Sequence, residues 1–364
     1  MNNRLKEIDY TLLIVATIIF IAGIFFLFSA SYQKSKDFDR NFTLLQIMWM
    51  IVALGIGTVI LLIDYNRLIS SAYLIYGISI LSLLIVLVFG IEKLGAQRWL
   101  HIGEISVQPS EFAKIAIVLA LARYLGYNSG RMERFTSMII PIVITIVPVA
   151  LILVQPDLGT AIILLPVLFS MLYVSGVKVK HLFALVLTGL AAFPFMWHYL
   201  LKGYQKNRLM VFLDPNIDPT GAGYTITQSK IAIGSGGLLG KGWLSGTQNQ
   251  LNFLPERHTD FIFSVVGEEW GYLGCTMLVL LYLFLIIRGM NIAYSTADTS
   301  AKLLVVGLVT LLSLQIFINI GMTMGLMPVV GLPLPLISYG GSSLVCTMAI
   351  IALLINVRMR RMIF

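Results

Sequence analysis

The sequence predicts an all-α fold: a polytopic membrane bundle of about ten transmembrane helices, with one large extracytoplasmic loop between spans seven and eight. Three observations carry this. Hydrophobic residues make up 58% of 364 and charged residues only 12%. Mean hydropathy is +0.90, far above the soluble range. Apolar runs of about 17 to 25 residues, the length that crosses a bilayer as helix, recur along the whole chain. We read residues 1–364 as one transmembrane domain, with residues 202–259 forming the loop within it.

The expected spans are 10–30, 45–63, 72–89, 110–125, 137–154, 159–175, 181–201, 261–288, 303–324 and 342–357. The fourth and sixth are short, so tilted, kinked or incomplete crossing is expected there. The first apolar run is too long for a signal-peptide core and has no small-residue cleavage site, so it reads as a retained span. Lys and Arg then fix orientation. With the N-terminus inside, thirteen of the 25 lie in short cytoplasmic segments, among them Arg4, Lys6, Arg123, Arg288, Arg358, Arg360 and Arg361. Six lie in short outer segments: Lys34, Lys36, Arg40, Lys93, Arg98 and Lys114. Both termini are therefore expected in the cytoplasm. The acidic residues Asp37, Asp39, Glu92, Glu104, Glu111, Asp157, Asp214, Asp218, Glu256 and Asp260 fall on or near the outer side, so an active site would open outward.

The net charge of +8 is scattered between spans, without a basic stripe interleaved with aromatics, which argues against nucleic acid. Cys275 and Cys346 sit inside apolar spans and read as small core residues. No His or Cys pair has metal-ligand spacing.

Polar chemistry concentrates in a few segments. In the loop, "YTITQSKIAI" predicts a short amphipathic helix on the membrane surface. "GSGGLLGKG" departs from the Walker pattern at Ser235 and Gly242 and reads as a flexible loop. In "QPSEFAK", Pro109, Ser110 and Glu111 form a helix start, and Lys114, one turn on, is a charge within an apolar span. Asp157 in "QPDLGT" occupies a turn. "LPLPLISYGGSS" is irregular backbone at membrane depth, expected to be buried in protein or to line a cavity. "LPERHTDFIF" places four ionisable groups at the mouth of the eighth span. Glu268 and Glu269 follow Asp260 by eight and nine residues, about 12 Å along a helix. They lie inside the membrane, or the span starts near Gly271 and they sit at its edge.

"GAQRWL", "QPSEFAK", "QPDLGT", "GTQNQLNFLPERHTDFIFSVVGEEWGYLG" and "LPLPLISYGGSS", collinear over nearly the whole chain, resemble the SEDS family (shape, elongation, division and sporulation) of bacterial membrane proteins. "GTQNQLNF" and Arg257 are most like its elongation subgroup. The resemblance implies a ten-helix peptidoglycan glycosyltransferase that polymerises lipid II into glycan strands at the outer face of the cytoplasmic membrane, for elongation and rod shape. It implies as partners undecaprenyl-pyrophosphate-linked glycan, a class B penicillin-binding protein that cross-links the strands, and other elongation-complex membrane proteins. The family's essential aspartate falls on Asp260, and its other functional positions on Arg98, Glu111, Lys114 and Asp157. Arg257 and Ser338 complete the substrate-binding candidates.

Such a reaction needs a carboxylate to take a proton from a sugar hydroxyl. It also needs cations to hold the departing pyrophosphate, for which Arg98, Lys114 and Arg257 are candidates. A divalent cation, Mg or Mn, bridging Asp260 to the pyrophosphate is a further expectation, and no organic cofactor is called for. The alternatives are a lipid II flippase, which would carry polar groups through the membrane's depth, and a non-catalytic scaffold of the wall machinery.

Overall fold

The computed structural model describes residues 9–32, 41–93, 96–102, 105–132 and 134–360. Arg4, Lys6, Lys34, Lys36, Asp37, Asp39, Arg40, Glu104 and Arg361, and the side chains of Glu92 and Lys93, lie outside the described residues.

Ten helices follow the expected spans: α1 Tyr10–Ser31, α2 Phe42–Leu62, α3 Ala72–Phe89, α4 Pro109–Tyr127, α5 Ile139–Val154, α6 Leu158–Val174, α7 Val179–Phe195, α8 Ile262–Tyr294, α9 Thr299–Thr323 and α10 Gly341–Arg360. Eight are long and apolar enough to cross a membrane. The other two are α4, which carries Glu111, Lys114 and Arg123, and α6, with 17 residues. These are the fourth and sixth spans, the two expected to be irregular. Side-chain caps set several starts: Asp9, Asn41, Asp157 and Asp298 each accept from a backbone N–H of the first turn, satisfying a donor the helix cannot.

The helices α9 and α10 are the buried centre. Along its length α10 packs on α2, while α9 lies between α8, α4 and α6. None of α7 is buried, so it forms the periphery. The sequence predicts no strands, yet three short ones follow α3: β1 Ile91–Lys93, β2 Ala96–Ile102 and β3 Ile105–Val107, antiparallel in that order. Segments of three to seven residues are too brief for a period-2 pattern to stand out.

The loop is largely ordered. Helices Gly203–Leu213 and Ala222–Ser235 lie within it, and the latter contains the predicted amphipathic stretch. Its buried face, Ile226, Ser229 and Ala232, packs on the start of α8. The glycine run is not a flexible loop. It splices a break in α8 at Gly271, whose φ of 63° and ψ of −159° suit only glycine. The N–H groups of Lys241 and Gly242 donate to the carbonyls of Glu268 and Glu269 at 3.0 Å, and those of Tyr272 and Leu273 donate to Gly237 and Leu238. A Cβ on Gly240 would stand 2.1 Å from the Glu269 carbonyl oxygen, so side chains are excluded from this contact. Hydropathy cannot register a break inside a continuous apolar run, which is why the loop looked free.

The segment before α10 is buried in protein: Leu332, Leu334, Leu336 and Ile337 are all in the core. Gly23 of α1 approaches so closely that a Cβ there would stand 2.8 Å from Ile337 Cα.

Candidate functional site

Four parts of the chain converge at one end of the bundle: the turn into α6, strand β2, the helix Gly203–Leu213 and the residues just before α8. Asp157 is buried, and its carboxylate is heavily used. Oδ2 accepts from Gln108 Nε2, Ser110 Oγ and Thr160 Oγ1, each at 2.9 Å, and Oδ1 accepts from Thr160 N at 3.2 Å. Asp157 is thus the cap of α6 and the bolt joining it to the start of α4. It also faces Arg98 of β2, at 3.7 Å. That distance makes a loose ion pair, and Arg98 Nε is buried with no hydrogen-bond partner among the described residues.

Asp260 sits two residues before α8 in an irregular turn. Its main-chain carbonyl accepts from Asn319 Nδ2 at 3.0 Å, and Gly331 leaves room beside its carboxylate. No hydrogen bond reaches that carboxylate from the described residues. The group is partly exposed, yet burial pushes its pKa from 3.8 up to about 6, against the pull of Arg98 and Arg208, while Glu256 and Asp157 add to the rise. Desolvation therefore outweighs two cations, because removing water penalises the charged form.

Arg208 was not anticipated from sequence. It projects from the helix Gly203–Leu213, lies over the Tyr204 ring at 5.9 Å, and is lowered by burial and by Arg98. No ion pair of Arg208 occurs among the described residues. The available signal was the Tyr204/Arg208 spacing, which puts both on one helix face, but a cation in a polar loop reads as solvated.

The remaining predicted residues have other surroundings. Lys114 is 0% exposed and donates to Glu111 Oε1 at 2.8 Å, while Cys346 Sγ donates to the Glu111 carbonyl at 3.1 Å. In this conformation neither Lys114 nor Glu111 presents surface to a substrate. Arg257 is buried and its Nε donates to the Ala30 carbonyl at 2.7 Å, closing the end of α1, and burial lowers its pKa. The cations that act on Asp260 are thus Arg98 and Arg208. Ser338 Oγ donates to the Thr259 carbonyl at 2.6 Å and accepts from Leu334 N at 2.8 Å. With Tyr339 N donating to the His258 carbonyl, it clamps the segment before α10 to the turn bearing Asp260. Glu256 and His258 support the same turn. Thr259 and Phe261 donate to the Glu256 carbonyl, and the His258 ring stacks on Phe42.

Glu268 and Glu269 are buried at the break in α8, on its loop side. Glu268 accepts from Lys241 Nζ at 2.8 Å, Thr247 Oγ1 at 3.1 Å, Gln248 N at 2.9 Å and Asn249 N at 3.2 Å. Glu269 accepts from Ser29 Oγ at 2.5 Å and Asn249 Nδ2 at 3.3 Å. The break at Gly271 closely follows this pair.

Comparison with known proteins identifies a family and relatives of like fold. A family model described as cell cycle protein, named for FtsW, RodA and SpoVE, matches residues 9–363. The peptidoglycan glycosyltransferase MrdB of Escherichia coli is 40% identical over 357 residues, 98% of this chain and 94% of that protein. The peptidoglycan glycosyltransferase RodA of Treponema pallidum is 33% identical, over 98% of this chain and 99% of its own. Among solved structures, a chain from a study of polymerization and crosslinking by a peptidoglycan synthase complex superposes with a TM-score of 0.83 at 36% identity. It covers 96% of this chain and 97% of that one. The rod shape determining protein RodA of Thermus thermophilus superposes with a TM-score of 0.73 at 32% identity, covering 96% of each chain.

Proposed function

The chain belongs to the FtsW, RodA and SpoVE family of cell cycle proteins, and from that premise we propose how its outer cluster works as a peptidoglycan glycosyltransferase. The substrate is lipid II, the donor a glycan on undecaprenyl pyrophosphate. Asp260 takes the proton of the acceptor sugar hydroxyl while the oxygen attacks the donor's anomeric carbon. The bond to the pyrophosphate breaks, and the pyrophosphate leaves with the electron pair. Arg98 and Arg208 hold the charge that develops on it. Asp157 orients Arg98 and ties the starts of α4 and α6 beneath it. The Glu111–Lys114 pair, wholly buried, supports that floor.

One observation carries this reading: a carboxylate with no hydrogen bond from the described residues, its pKa near 6, lies within electrostatic reach of Arg98 and Arg208 at one end of an apolar bundle. A base acts best with a pKa close to the working pH. Pyrophosphate is already a good leaving group, so one carboxylate among cations suffices where a glycosidase needs two. The flippase alternative needs polar groups serving transport within the membrane. Glu268 accepts from the loop through both oxygens, and Glu269 accepts from Ser29 and Asn249 through Oε1, its Oε2 having no partner among the described residues.

Among the described residues no three His, Cys, Asp or Glu side chains converge as metal ligands. A Mg or Mn ion would be held by Asp260 together with oxygens of the pyrophosphate, and would supply further neutralisation of its charge. We place the protein in the cytoplasmic membrane with both termini inside and the Asp260 cluster outside. Arg123, Arg288, Arg358 and Arg360 occupy helix ends on the side assigned to the cytoplasm, which supports this. The partner we infer is a class B penicillin-binding protein, and the coupling of polymerization and crosslinking in the related complex supports it.

Purified protein with that partner, given lipid II in detergent, is expected to make glycan strands. Asp260→Ala should abolish them while thermal stability and partner binding persist. Strands made by Asp260→Ala would sink the base assignment.

A further inference from the structure

The opposite end of the bundle holds a second basic recess. Arg288, Asn291, Ile292 and Ser295 of the α8 end region line it, together with Arg358 of α10. Its volume is about 240 Å³. That is space for about eight waters at roughly 30 Å³ each, enough for a headgroup phosphate and too little for an acyl chain. Asp9, buried before α1, accepts from Arg288 Nη2 at 2.9 and 3.1 Å and pairs with Arg358. One carboxylate therefore holds two guanidiniums side by side. Arg288 Nε is buried and has no hydrogen-bond partner among the described residues. Asn291 is exposed at the rim, with its amide on the same helix face as Arg288.

The surroundings point to an amphiphile rather than a soluble anion. Ile287, Met290 and Tyr294, on the neighbouring faces of α8, are all exposed apolar or aromatic side chains. A ligand in the recess would continue along an apolar wall. Basic pockets between helix ends at the cytoplasmic side suit anionic lipid headgroups, and an arginine fork matches phosphate oxygens.

We propose that Arg288, Asn291 and Arg358 form a binding site for the phosphate of an anionic phospholipid of the cytoplasmic leaflet. The site lies at the far end of the bundle from Asp260 and needs nothing from it. The leaflet rests on the orientation given above. Headgroup selectivity in detergent depends neither on that orientation nor on glycan synthesis, so the two readings fail separately.

The test is native mass spectrometry of the full-length protein in detergent, with phosphatidylglycerol or phosphatidylcholine added at equal concentration. The wild type should retain one phosphatidylglycerol in preference to phosphatidylcholine. Asn291→Asp, which puts a negative charge at the rim without touching Asp9, should cut that preference about five-fold or more. Arg288→Gln should do the same. If it does not fold, because Asp9 is left buried with a single arginine, Asn291→Asp alone decides. Ser129→Asp, a charge change on an exposed cytoplasmic turn, should have no effect. Unchanged preference in Asn291→Asp, or an equal loss in Ser129→Asp, overturns the site. Inorganic phosphate in excess should displace little of the lipid. Complete displacement, with no preference of phosphatidylglycerol over phosphatidylcholine, would assign the recess to free phosphate and overturn the lipid.

Discussion

Asp260 and Glu268 lie eight residues apart in one segment, both beneath the same loop, and their surroundings are opposite. Glu268 is fully buried and is met by four donors from residues 241–249. Asp260 keeps some exposure, has two arginines in electrostatic reach, and its carboxylate accepts no hydrogen bond from the described residues. A buried carboxylate already met at both oxygens by four donors is a structural part. A carboxylate held at about 6 with its oxygens open is poised to accept a proton. Donor count separates the two.

The largest effect that tests this contrast is Asp260→Asn. Strand synthesis should fall about 10³-fold or more. Stability should move the other way. The folded pKa lies above the unfolded 3.8, so the wild-type aspartate stabilises the fold below pH 4, and this is lost as pH rises through 6. At pH 7.5 the variant should be more stable by on the order of 1 kcal/mol for a partly exposed group, and the difference should vanish below pH 4. Chemical denaturation at both pH values measures it. In the wild type, kcat/KM should fall about tenfold per unit below pH 6 as the base is protonated.

Glu268→Ala should give the reverse profile. Leaving Lys241 and two backbone N–H groups without their acceptor should cost about 3 kcal/mol, while the residual folded fraction keeps its turnover per molecule. Turnover lost at full stability would erase the distinction between the two carboxylates. Arg208→Gln comes next. Removing a cation that lowers the Asp260 pKa should shift the acid limb upward, and kcat/KM should fall about 10²-fold. A pH–rate profile reads both. Smallest is Lys241→Gln: Lys241 is 27% exposed, so thermal unfolding should show a loss below about 1 kcal/mol.

The ten helices were legible because a bilayer sets the length of each apolar run, and the motifs stood out because charges are scarce in such a chain. Asp260, Arg98 and Asp157 belong to three of those motifs, and the fold gathers them into one cluster. Arg208 escaped because its polar setting hides a three-dimensional neighbour more than fifty positions away. Lys114 and Glu111 stood out since an intramembrane charge points to function; the fold buries them together, Lys114 donating to Glu111 Oε1 while Glu111 Oε2 has no partner among the described residues. The β1–β3 sheet and the splice at Gly271 depend on backbone geometry, which side-chain patterning does not encode.

That splice has a mechanical consequence. A continuous helix answers a thicker or thinner bilayer by tilting, and the tilt reaches everything rigidly attached to it. At Gly271 the helix is jointed: its upper part is bonded to the glycine run through Glu268 and Glu269, and the turn carrying Asp260 is tied to Ser338 of the segment before α10. Below Leu273, the last residue of α8 bonded to the run, the helix can adjust to the lipid while the upper part stays with the loop. Bilayer thickness should therefore alter the geometry around Asp260 far less than a 33-residue helix would otherwise transmit.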